Sequence, residues 1–223
     1  MQHLKKIILS LLAAFSFTVV FSQPSFSLCN DLGLQRSFTK EQRFWAIGHT
    51  VQGNFHFDTK TTIYLWFSYY SNGKFNNAVT ATAKSALTIP QQVNYLNSAK
   101  MRLKQFSTGW KKYLVGSFNS YKNWNLYGYA GFGLLLGRVT NTHSVAIDTS
   151  VYNVPVRSGK ANFKRLTFDL GLGYEIPVAG DIYFYAEGRV WIPTSDYPSK
   201  YIFINNNAPF VGMLNVGLRV LFE

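Results

Sequence analysis

Asp31, Asp169, Glu187, Arg189 and Arg219 are the ionised residues of this 223-residue chain with the most chemical promise. Each sits in a stretch of alternating character, on the face that the apolar side chains leave free. Carboxylates and guanidiniums enclosed by a dry wall have to pair, because an isolated buried charge is very costly. The expected arrangement is a network in which Arg189 and Arg219 neutralise the three carboxylates. Two uses of such a network stay open: filling an interior and stiffening the walls around it, or gating the passage of an ion.

Other candidate groups point to no reaction. Gly131-Phe132-Gly133 with Gly137, and Gly171-Leu172-Gly173, have the look of phosphate-cradling loops. No helical periodicity follows either one, so a cradle there would lack the helix N-terminus that binds phosphate; small residues beside tyrosines explain them better. His49 lies on an apolar strand face and His143 in Thr142-His143-Ser144, and neither has an acidic partner at a spacing that would make a catalytic pair. We therefore expect no catalytic residue, no cofactor and no metal ligand, and a protein that is not an enzyme. The lone Cys29 excludes an internal disulfide and a cysteine-based zinc cluster. Its context, Phe26-Ser27-Leu28-Cys29, is wrong for lipidation.

The elements that position these residues are strands, since the apolar period is two throughout. Residues 26–37 set Phe26, Leu28, Leu32 and Leu34 against Cys29, Asp31, Gly33 and Gln35. Residues 43–57 group Trp45, Ile47, Val51, Phe55 and Phe57, and residues 61–71 group Ile63, Leu65, Phe67 and Tyr69. Residues 100–118 are the least regular, because Phe106, Trp110, Leu114 and Phe118 share their phase with Lys112. A lysine facing lipid at mid-depth costs about 2–4 kcal/mol, so a bulge or an interfacial position is expected there. Residues 124–137, 163–175, 182–192 and 210–223 complete the set, the last placing Leu214, Val216, Leu218, Val220 and Phe222 opposite Asn215, Gly217 and Arg219. Residues 72–99, 138–162 and 193–209 read as long polar loops; the other links are short.

Charge and composition fix the setting. Residues 1–22 read as a cleaved secretory signal peptide, with Lys5 and Lys6 before an apolar run and Ser22 at its exit. Residues 23–223 then form one domain of 20 basic and 10 acidic residues, a net charge of about +10. No later stretch approaches the ~18 apolar residues of a membrane helix. The 17 % aromatic content suits two interfacial girdles around a strand-built membrane protein. An exported chain does not meet nucleic acid, so the basic surplus is matched instead to outer-membrane lipid and the phosphate layer of lipopolysaccharide.

Eight strands with short links on one side and long ones on the other define an all-β, antiparallel, up-and-down transmembrane β-barrel. A soluble lipocalin-like barrel shows the same alternation, but would have to turn Asp31, Asp169, Glu187, Arg189 and Arg219 outward. With its signal segment, its eight strands and a closing strand that carries Phe222, followed here by Glu223, the chain resembles the small outer-membrane β-barrel superfamily of the OmpA transmembrane domain and OmpX, which includes PorT-like barrels. The resemblance implies a bacterial outer-membrane location. The expected role is structural or one of surface interaction through the long loops, around a lumen filled by side chains. The alternative is a subunit of an envelope or protein-secretion assembly with a protein partner. A lipid A-modifying enzyme and a small-solute pore come after these.

Overall fold

Period-two sequence becomes strand almost throughout. A computed structural model describes residues 25–194 and 209–222; the signal segment 1–22, most of the loop 193–209 and Glu223 lie outside the described residues. The strands are β1 (Ser25–Ser37), β2 (Trp45–His56), β3 (Thr61–Ala83), β4 (Gln92–Val115), β5 (Asn125–His143), the two-residue β6 (Tyr152–Asn153), β7 (Gly159–Ala179), β8 (Ile182–Pro193) and β9 (Val211–Phe222). The eight long strands pair antiparallel in chain order, and β1 pairs with β9 to close the ring, with Phe26 opposite Phe222 and Asp31 opposite Gly217. The short β6 lies against Thr82 and Ala83 at the far end of β3. Closure matters because a greasy terminal strand left unpaired is an aggregation site.

Which face looks inward separates a membrane barrel from a lipocalin-like one. Leu170, Phe184 and Leu218 are 38 %, 41 % and 51 % exposed, whereas Asp169 and Arg219 are fully buried. The apolar side chains face outward and the charges inward, which excludes the lipocalin arrangement. Along β5 the outward set runs from Leu126 to Leu136; at about 3.4 Å per residue and about 40° of tilt it spans about 25 Å, the height of a membrane-facing apolar band.

The turns on one side are tight. Asp58 accepts hydrogen bonds from the amides of Lys60 and Thr61 at 2.7 and 2.8 Å; these bonds, the Lys60 amide first, hold its carboxyl below the usual range. Gly180 turns the chain between β7 and β8 with a φ of 51°.

Three expectations need correction, two of them on the other side. Residues 72–99 are not a loop: β3 and β4 run 23 and 24 residues and stay paired from Gly73 opposite Met101 to Thr82 opposite Gln92. Residues 138–162 are strand at both ends, with β5 running on to His143 and β7 starting at Gly159, so that the connection around β6 shortens to 144–158. Both segments read as loops because their alternation inverts. Within the belt the apolar side chains point out; beyond it Lys74, Asn76 and Thr82 meet water while Phe75, Val79, Ala81 and Tyr95 turn inward. The change falls at the bulge between Tyr70 and Gly73, where Asn72 has a φ of 64° and where pairing with β2 ends at Ile47 opposite Ser71. The third correction concerns Phe118. β4 ends at Val115, and Phe118 leaves the outward phase to stack on His56 at 4.1 Å inside the short-turn end. Lys112 lies near that end, opposite Thr61 and Gly128, beside a bulge between Tyr113 and Val115.

Candidate functional site

The lumen is the first place to look for function, and it is filled in three tiers. At mid-height Arg189, from β8, reaches across the barrel. Its Nη2 donates to Asp31 Oδ2 at 3.0 Å and forms an ion pair with Glu187, and Nη1 donates to Thr50 Oγ1 at 3.2 Å. Asp31 accepts further bonds from Tyr185 Oη at 2.9 Å and Asn215 Nδ2 at 2.6 Å. The guanidinium carbon lies 4.0 Å from the Trp66 ring centroid. A planar cation with a fork of donors suits this enclosed position far better than an ammonium would.

Towards the short turns, Arg219 from β9 makes a two-pronged pair with Glu175 of β7, Nε to Oε2 at 2.8 Å and Nη2 to Oε1 at 2.7 Å. Its Nη2 also donates to the Phe118 carbonyl at 2.7 Å, and the guanidinium stacks 3.8 Å from the Tyr183 ring. Lys111 points into the same tier, its Nζ 3.4 Å from the Tyr127 ring centroid. Towards the long strands the lumen is apolar. Tyr70, Met101, Leu103, Leu135, Val139, Trp191, Val211 and Met213 are buried together with Phe44 and Phe75, which stack at 6.0 Å.

The five residues singled out from the sequence are all buried, at 5 % exposure or less, yet the structure does not join them in one network. Asp31, Glu187 and Arg189 meet. Arg219 takes Glu175 instead of any of the three carboxylates. Asp169 is held by neutral donors instead of an arginine; Oδ1 accepts from Gln105 Nε2 at 2.8 Å and Thr167 Oγ1 at 2.9 Å. The two arginines sit in different tiers, and pairing follows the tier. Glu175 and Lys111 were legible as inward by phase alone, Lys111 because its neighbour Lys112 faces out. The apolar tier carried no signal, because its side chains lie on the phase that is polar lower down.

The glycines are spacers for this filling. A Cβ at Gly171 would overlap the Tyr129 ring, and one at Gly173 the Tyr127 ring. His49 faces outward and meets the Tyr69 ring edge-on at 6.2 Å, and His143 lies 4.5 Å from the Tyr95 ring. Among the described residues, no cluster of three or more His, Cys, Asp or Glu side chains could hold a metal ion. The outer wall offers a second candidate. Above the apolar belt, β4, β5 and β7 carry Arg102, Lys104, Arg138 and Lys164 around a groove of about 890 Å³.

No protein-family model matches the sequence, and no curated protein matches it. Solved structures do match in fold. The chain is similar to Ail, the attachment invasion locus protein of Yersinia pestis, with a TM-score of 0.50 at 9 % identity over 90 % of this chain and 100 % of that one. It is similar to Neisserial surface protein A, with 0.52 at 13 % identity over 88 % and 97 %. A major outer membrane protein from Thermus thermophilus gives 0.53 at 10 % identity over 88 % and 99 %. The fold is that of the small eight-stranded outer-membrane barrels.

Proposed function

We propose that the protein is a bacterial outer-membrane barrel with a structural and surface-interaction role, exported by its segment 1–22 and folded as one domain over 23–223. The observation that carries this reading is the contrast between a closed interior and a raised wall. The lumen is blocked by ion pairs, aromatic rings and an apolar tier, and an eight-stranded barrel is only wide enough for its own side chains. Meanwhile β3, β4, β5 and β7, of 23, 24, 19 and 21 residues, rise well past the 12 to 13 residues of β1, β2, β8 and β9. Material built beyond the bilayer on one side serves contact at the surface, not passage through the centre. The lumen charges then act as struts between facing walls and not as a gate.

Two measurements test the reading. Folded protein in planar bilayers should give no steady conductance, and a large persistent current would refute the blocked lumen. In gels run without boiling, the purified protein should migrate as a compact species that shifts on heating.

A specific feature favours a protein partner as the second reading. At the tip of the β3–β4 hairpin, Leu87 and Ile89 are each 91 % exposed, and apolar side chains held so far from the barrel suit insertion into a partner's pocket. Stable, stoichiometric co-purification of an envelope protein, lost when both are changed to Ser, would support a subunit role. A monomer without partner would support the first reading.

A further inference from the structure

The outer groove has a composition that a bare wall does not explain. Arg102 and Arg138 stand directly opposite each other on β4 and β5, and like charges in that position repel. One step lower, Lys104 and Lys164 flank Leu136 on either side. Neighbouring strands are about 4.8 Å apart and alternate residues about 7 Å, so the four cations crowd into a patch about 10 Å across. Among the described residues, no carboxylate lines the groove. Two of the cations are held in place: Arg138 Nε donates to Asn162 Oδ1 at 2.9 Å, and Lys104 Nζ lies 5.8 Å from the Tyr69 ring centroid. The four cations are exposed, so the box is open to an anion from outside the chain.

What lies beneath it identifies the anion as the head of a lipid. On the same strands, immediately towards the membrane, Phe106, Phe132, Leu134, Leu65 and Leu166 line a shallow apolar groove of about 290 Å³. Cations stacked over an apolar channel at the upper edge of the belt match an amphiphile whose phosphates sit at the water boundary and whose acyl chain runs down the wall. We propose that this face of β3, β4, β5 and β7 is a specific site for one molecule of lipopolysaccharide, with phosphate held by Arg102, Lys104, Arg138 and Lys164. This rests on the outer-membrane reading above and deepens it, since it names the lipid and its seat.

The test is native mass spectrometry of the full-length mature protein from detergent micelles, titrated with lipopolysaccharide, with the same lipopolysaccharide dephosphorylated, and with phosphatidylglycerol. The expected result is a one-to-one lipopolysaccharide complex. Arg102→Gln with Arg138→Gln should weaken it at least tenfold while the heat-shifted gel band is kept, because removing two facing like charges does not unfold a barrel. Lys112→Gln with Lys122→Gln, at the short-turn end, should leave binding unchanged. Equal binding by the arginine double variant, or equal affinity for dephosphorylated lipopolysaccharide or for phosphatidylglycerol, overturns the site. A folded, membrane-inserted protein that retains no lipopolysaccharide overturns the site alone; a protein that never inserts removes the outer-membrane reading with it.

Discussion

A single arginine shows how much depends on the lumen. Arg189 is the counter-charge for both Asp31 and Glu187, so Arg189→Gln should leave two buried carboxylates without a cation. Breaking a buried pair from one side costs about 3–5 kcal/mol, measurable as a lower urea midpoint for loss of the compact gel band. Adding Asp31→Asn should recover part of that loss. A steric counterpart is Gly171→Ala, whose new methyl meets the buried Tyr129 ring; overpacking of this kind costs about 1–3 kcal/mol in the same assay. That Asp31, Glu187 and Arg189 face inward follows from strand phase alone. Which of them pair does not: Asp31 and Arg189 are 158 residues apart, and their meeting depends on barrel diameter and stagger. Hence Glu175, inward by phase but at the predicted end of its strand, emerged as the partner of Arg219 only once the strands were assembled.

Each of the long strands carries two alternations in succession, and the change between them marks the water boundary. Outward Phe132 sits near the middle of the apolar run on β5, and Leu136 at its upper limit, level with Lys104 and Lys164. Phe132→Arg should therefore destabilise the barrel in lipid vesicles by about 2–4 kcal/mol, and Leu136→Arg by about 0–1 kcal/mol, because the cost of an arginine falls off from midplane to interface. Equal penalties at the two positions would contradict the assigned depth. The lower alternation was plain in sequence because it is strongly apolar on one side. The upper one was read as loop because Asn, Thr and Lys on its outer face, with only Phe75, Val79 and Ala81 behind, resemble a polar insertion until β4 is seen paired alongside.

At the scale of the whole molecule the two halves of the ring differ in height among the described residues, which makes the raised wall separable from the barrel. Replacing residues 77–97 by a two-residue Asn-Gly turn should leave the heat-shifted gel band intact, because closure through β1 and β9 and the apolar belt are untouched. The shortened protein should lose any partner captured through the hairpin tip. Failure to fold would instead tie the extension to barrel stability.

The sequence by itself determined that the chain is built of eight strands, each with a greasy face and an opposite one that carries the charges; that the greasy face looks outward was its expectation, which the exposures bear out. A period of two needs no knowledge of neighbours, and it sets five charges on the phase opposite the apolar side chains. Tertiary structure alone decided which charges meet, how far the strands rise past the membrane, that an apolar tier closes the outer mouth, and that four cations converge on one outer groove. Each of these is a relation between strands distant in sequence, set by register and closure, and none leaves a periodic trace along a single segment.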